Sequence, residues 1–344
     1  MGSLAGQPRR RILRSWLVPA LGYGISVACL VWVYWGFDWK AELPKLAAAD
    51  WRWVTLSVVT DLAVYICQGW RWSLLLRPVA RVRFVKSVQA VYIGLFANEV
   101  LPFRSGELIR SYLLARWSHF PFSVSLSSAV IERMFDGIWL VLGFFLATFF
   151  VDLPGYLVNG SQVLTGMLVA VAAAMAIIMF LKHHAHAAIS QSRWSDMLWH
   201  VVEGLHAMGN SLWFIAAALV SLVYLALQVV PIYALVRGYG LDLSAGETAV
   251  VLVILRIGTI LPQAPGNVGA FQFFAVVGLH LFGVDKATAT GFATLMFVVV
   301  TLPLWLGGLV AVAITGMGIR DLQNEAQKNL ETPATASAEP RNPR

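Results

Sequence analysis

Apolar residues in this chain run in long stretches separated by short charged segments. The stretches fall at 16–35, 53–76, 84–101, 123–150, 161–181, 211–236, 245–261, 267–283 and 287–316. An α-helix crosses a bilayer with roughly 20 apolar residues. Within hydrocarbon each backbone polar group must be satisfied inside the segment. The pattern therefore predicts an all-α polytopic membrane protein. Composition agrees, because 58% of the 344 residues are hydrophobic and only 12% are charged. Soluble domains carry roughly a quarter charged residues.

Nine full crossings conflict with the charges. If 84–101 crossed, Arg104, Arg110 and Arg116 would lie opposite Arg77, Arg81, Arg83 and Lys86. The charges instead predict that 84–118 enters and leaves on one side, turning at Leu101-Pro102, and that 245–283 does the same from the other side. About six full spans then remain with two re-entrant helical hairpins, or eight to nine membrane helices. With the N-terminus inside, 18 basic residues fall on the cytoplasmic side and six outside. This is the positive-inside asymmetry, with both termini cytoplasmic. Arg9, Arg10, Arg11 and Arg14 precede the first run, no small-residue cleavage site follows, and Trp32, Trp35 and Trp39 mark its far end. An uncleaved first span is expected.

The net charge of +7 comes from basic residues beside apolar runs, which points to membrane orientation rather than nucleic acid. Cys29 and Cys67 sit inside apolar runs and define no disulfide framework. His183, His184 and His186 read as an interfacial loop rather than a metal site. An interfacial amphipathic helix is expected over about 186–208 and a disordered cytoplasmic tail over 321–344, leaving 1–320 as one membrane domain.

An offset of 160 aligns the chain with itself. Trp53 meets Trp213, Gln68 meets Gln228, and Leu101-Pro102 meets Leu261-Pro262. Both copies, about 53–118 and 213–283, contain an LPxxxG string. Three full crossings lie between their starts, so the copies are antiparallel. Paired broken helices in an inverted repeat point to a site near the bilayer midplane.

The densest polar cluster is Asn98, Glu99, Arg104, Glu107 and Arg110, continued by Glu132, Arg133 and Asp136. Charge at membrane depth faces a cavity or another charge. One reading is a salt-bridge cluster that pins the hairpin. The other is a pocket in which Arg104, Arg110 and Arg133 hold phosphate oxygens while Glu107, Glu132 and Asp136 orient them. The second hairpin carries Arg256, Gln263, Gly266, Asn267, Gly269 and Gln272, where a half-helix would aim free N–H groups at an anionic head group. Trp70, Arg71, Trp72 and Arg77 read as an interface belt with snorkelling arginines, although Arg71 could reach the pocket. Asp61 lies alone in a span. No Walker, GxSxG or HExxH string occurs, so no cofactor, metal or catalytic residue is assigned.

The string from Asn98 through Leu101-Pro102, Arg104, Gly106 and Glu107 to Arg110 resembles N-x-x-L-P-x-R-x-G-E-x-x-R. Glu132-Arg133-x-x-Asp136 resembles E-R-x-x-D, and Pro265 to Gln272 resembles P-G-G-x-G-x-x-E. These are motifs of the flippase-like transmembrane domain of lysylphosphatidylglycerol synthases, here without the aminoacyl transferase domain. The resemblance implies a bacterial or archaeal cytoplasmic membrane and translocation of a phosphate-bearing or glycosylated lipid, with membrane lipid as the partner. The alternative is a non-transporting scaffold or accessory subunit of a lipid-synthesis or cell-envelope enzyme. A third reading is a lipid enzyme that uses Glu132 and Asp136 as acid and base. Asn267 and Gln272 depart from the family pattern, replacing a glycine and a glutamate.

Overall fold

The structure is a computed structural model. It describes residues 8–101, 105–151, 206–209, 211–259 and 263–315, with isolated positions between 155 and 173, and side chains from residue 20 onward. Arg104, Pro102, Pro262, most of 161–181, most of the expected interfacial helix and the tail 321–344 lie outside the described residues.

The described residues are helical, and ten helices carry the fold. They are α1 (Pro8–Tyr34), α2 (Trp39–Ala47), α3 (Trp51–Leu76), α4 (Phe84–Val100), α5 (Gly106–Ser118), α6 (Phe122–Ala147), α7 (Leu212–Tyr239), α8 (Ala245–Gly258), α9 (Ala270–His280) and α10 (Lys286–Thr315). A 3-10 turn at Pro265–Asn267 joins α8 to α9. Short polar side chains set several starts. Asp38 and Asp50 accept backbone N–H groups at the heads of α2 and α3, each at 2.9 Å. Ser244 and Glu247 form a reciprocal capping box on α8. Asp285 accepts from Thr288 N–H ahead of α10 at 2.9 Å, a bond that holds its carboxyl below the usual carboxylate range. α2 is a separate element that the apolar pattern does not mark. The chain bends by 89° between the end of α1 and α2.

α7 and α10 are long and apolar enough to cross a membrane by length and composition. α3 and α6 have comparable length, 26 residues each, or ~39 Å at 1.5 Å per residue. They differ in carrying Asp61 and Arg71, and Glu132, Arg133 and Asp136. Leu219, Val223 and Val230 on α7 and Leu302, Leu306 and Val310 on α10 are exposed. Their helical spacing makes continuous apolar stripes, which lipid covers and water would not.

Packing follows one scheme twice. α3 lies lengthwise on α7. α4 packs on α3, α5 and α10, while α8 packs on α7, α9 and α6. α5 closes on α6 as α9 closes on α10, and the α3–α10 contact has its counterpart in α7–α6. Exchanging α3–α6 for α7–α10 leaves this pattern unchanged.

The first hairpin needs its glycines. A Cβ on Gly94 would lie 2.7 Å from Arg110 Cβ and 2.8 Å from the Gly106 carbonyl, because α4 and α5 nearly touch there. Asn98 Oδ1 accepts the Gly106 N–H at 2.8 Å and closes the turn. Gly94→Ala should therefore cost about 1–3 kcal/mol despite the better helix propensity of alanine. Gly24, where an added methyl would meet no atom within 4 Å, is the control. Gly24→Ala should leave the melting temperature of the purified full-length protein unchanged or raise it, and Gly94→Ala should lower it.

Candidate functional site

Arg71 is brought from α3 to the centre of the polar cluster, and its side chain is wholly buried. Its Nε and Nη2 donate to Glu132 Oε1 at 3.3 and 3.1 Å. Its Nη1 pairs with Asp136 and reaches Ser221 Oγ at 3.4 Å. The guanidinium also lies 4.6 Å from the Tyr224 ring centre. The expected interface belt is thus corrected at two positions. Arg71 does not snorkel, and Trp72 is buried, with its indole N–H donating to Ser128 Oγ at 2.8 Å. The local pattern Trp-Arg-Trp fits an interface belt equally well, and only the packing of α6 and α7 around α3 separates the two.

The other Glu132 oxygen, Oε2, accepts from Arg110 Nη2 at 2.8 Å. Arg110 Nε donates to Glu107 Oε2 at 3.0 Å, and its guanidinium lies 4.7 Å from the Trp72 ring centre. Glu107 Oε1 faces Arg133 Nη2 at 3.6 Å, and Asp136 Oδ2 faces the same nitrogen at 3.3 Å. The result is a closed, alternating ring: Arg71, Glu132, Arg110, Glu107, Arg133, Asp136 and back to Arg71. Three positive and three negative groups cancel. One arc (Arg71, Glu132 and Arg110) is dry. The other opens outward, and the Arg133 side chain is 54% exposed.

That exposed arc meets a cavity of about 590 Å³ between the hairpins, within the size range of small-molecule sites. Asn98, Glu107 and Arg133 line it from the first half, and Gly266 and Asn267 from the second. Asp61, Gln68, Gln228 and Arg256 also line it, together with apolar side chains of α10. Of these four, Gln68 and Gln228 are marked in the sequence by their match in the repeat, Arg256 by its place in the second hairpin, and Asp61 as a lone charge in a span. Arg133 has five N–H donors, and its nearest approach to both carboxylates is through Nη2, which leaves its guanidinium edge at the cavity wall able to meet an anion.

Several residues expected to touch substrate serve the frame. Arg110, Glu132 and Asp136 belong to the ring, and Glu132 has no exposed surface. Gln263, Gly269 and Gln272 are absent from the cavity wall. Gln263 Nε2 donates to the Thr259 carbonyl at 2.8 Å. Gln272 Oε1 accepts the Gly269 N–H at 2.8 Å and caps α9. Gly269, at φ +88°, lets the turn press on the Ser26 backbone of α1. The two departures from the motif now have physical reasons. A cap needs only an amide oxygen, which glutamine supplies. Asn267 holds φ +54°, a conformation that asparagine tolerates better than most residues with a Cβ. Arg104, expected to pair with Glu107, lies outside the described residues.

The fold and site define a helical membrane protein in which two helix pairs, α4–α5 and α8–α9, meet at a cavity that carries charged side chains. The profile of the lysylphosphatidylglycerol synthase TM region matches residues 20–311, and the chain belongs to that family. No curated protein and no solved structure matches it. Membership links this membrane protein to lipid metabolism.

Glu132 is the member of the ring that touches two buried arginines. Removing one partner of a buried pair costs roughly 3–5 kcal/mol, because the remaining charge stays desolvated. Glu132→Gln should lower thermal stability by about that amount. Glu107→Gln should cost clearly less, since the Glu107 side chain is 36% exposed. Equal losses in matched thermal unfolding would show that the dry arc is no more critical than the open one.

Proposed function

We propose that the protein translocates a phosphate-bearing or glycosylated membrane lipid between leaflets, with the head group in the central cavity and the tails in the bilayer. The observation that carries this reading is the Arg133 guanidinium, held by Glu107 and Asp136 at the cavity wall, where its edge can meet an anion. Family membership supports a lipid substrate. The repeated packing scheme supports two inverted halves that rock about a shared site, as in alternating access. In this reading six full spans and two re-entrant hairpins sit in a bacterial or archaeal cytoplasmic membrane with both termini inside. The lipid leaves chemically unchanged, so the protein is not an enzyme.

Purified protein in liposomes, assayed with a fluorescent phosphatidylglycerol and a membrane-impermeant quencher, should accelerate exchange between leaflets. Protein-free rates would sink the transporter reading and leave the scaffold alternative. Arg133→Lys keeps the charge but loses the planar fork. It should retain the melting temperature and lose about tenfold or more in exchange rate; wild-type exchange would remove Arg133 as a head-group contact. For the topology, cysteines placed at Arg116 and Lys286 should react with an impermeant thiol reagent from opposite sides. Labelling from one side would refute the inverted hairpins.

A further inference from the structure

Outside the ring, two charged side chains line the cavity without an ion pair among the described residues. Asp61, on α3, is 5% exposed and accepts no hydrogen bond there, and its Oδ2 is buried without a partner. Arg256, on α8, donates to the neutral Gln228 and meets no carboxylate. Arg256 and Asp61 line the same cavity without forming a salt bridge to each other.

The other groups around Asp61 leave this pair distinct. On α3 itself stand Ser57 and Tyr65, one turn to either side, with Arg71 committed to the ring. α4 contributes Glu99 and Tyr92, whose hydroxyl donates to the Leu62 carbonyl at 3.2 Å. α7 contributes Tyr224 and Gln228, and α6 contributes Arg133 with Glu132 and Asp136 from the ring. α10 presents Met296, Phe297, Val300 and Leu304 to the cavity, none of which titrates.

The ring shows how this protein keeps carboxylates ionised at membrane depth: each one has an arginine in contact. Asp61 has no arginine in contact, and among the described residues the one positive group without a carboxylate partner in its cavity is Arg256. When an anion engages the Arg256 guanidinium, that positive charge is neutralised, and the carboxylate is left desolvated and uncompensated. Protonation is the remedy for a buried acid in that position. We propose that Asp61 takes up one proton when an anionic group occupies Arg256, so that the cavity loads anion and proton together. The proton comes from water in the cavity, the carboxylate becomes a carboxylic acid, and no other bond changes. For a singly charged anion, the loaded cavity has the same net charge as the empty one. That the anion is a lipid head group rests on the function proposed above, and a transbilayer pH difference would then bias the direction of movement.

Linkage makes the coupling reciprocal: if the anion raises proton affinity, protons raise anion affinity, by at most about tenfold per pH unit for one linked proton. The test uses the full chain in phosphatidylcholine nanodiscs and glycerophosphoglycerol, a phosphodiester whose own charge is fixed around neutrality. Calorimetry in two buffers of different ionisation enthalpy counts protons taken up per probe bound. The wild type should take up close to one proton at mildly alkaline pH, and its affinity should rise as pH falls. Asp61→Asn, nearly isosteric, should bind the probe with no uptake and a flat pH profile. Arg256→Gln should weaken binding at least tenfold. Failure of the wild type to bind the probe, binding without proton uptake, or uptake unchanged in Asp61→Asn would overturn the coupling. The leaflet-exchange assay separates the two readings. Exchange without proton uptake keeps lipid transport and sinks the coupling, whereas proton-linked probe binding without exchange does the reverse.

Discussion

The structure around the cavity depends on Glu132. This carboxylate sits in the interior of α6, and its two oxygens are taken by arginines from two other helices, Arg71 on α3 and Arg110 on α5. An arginine buried in a membrane protein without a counter-charge is costly, and two beside one another would also repel. Glu132 answers both demands at once. It thereby ties α5, the return leg of a short hairpin, to two long helices. Apolar packing also holds the hairpin, through Ile93, Phe96, Ile109 and Leu113 against Ala311 and Val312, and Glu132 adds the contact that fixes its charged face. The open arc of the ring then inherits its geometry from the dry arc: Glu107 is placed by Arg110, Asp136 by Arg71, and Arg133 by both carboxylates.

The packing scheme is repeated, but the chemistry is not. The first half carries the ring, and α6 supplies three of its six charges. In the second half the equivalent helix α10 turns Met296, Phe297, Val300 and Leu304 toward the cavity. The α6 contribution to the cavity therefore includes the charged Arg133, while that of α10 is mostly apolar; Gln228, Arg256 and Asn267 are among the polar groups the second half adds. The two hairpin tips meet here as well: a Cβ at Gly266 would lie 3.2 Å from Glu99 Oε2, and the backbone there holds φ +74°, which glycine adopts without strain.

The second hairpin shows how a motif can keep its geometry while its letters change. Its turn runs through positive φ at Gly266, Asn267 and Gly269 and is closed by the Gln272 cap. The demands are a backbone that can turn left-handed and an acceptor for one N–H. Asparagine and glutamine meet them without charge. The negative charge lost there is therefore missing from a cap rather than from the cavity wall.

The sequence by itself determined the helices, the broken-helix positions and the polar residues that had to be explained, because each of these is a local property. Apolar run length marks a membrane helix, proline and glycine interrupt it, and a charge inside it demands compensation. Nine of the ten helices follow the apolar and polar stretches. α2 escapes such a reading because nine residues with a proline at position 44 make a weak periodic signal. The tertiary structure alone decided which compensation each charge receives. Arg71 and Glu132 are 61 residues apart, and Arg71 and Ser221 are 150 apart. Whether Arg71 turns to lipid head groups or to Glu132 depends on which face of α3 meets α6 and α7, and no local spacing encodes that. The same holds for Asp61, a lone acid in the sequence and the counterpart of Arg256 only once α3 and α8 line one cavity.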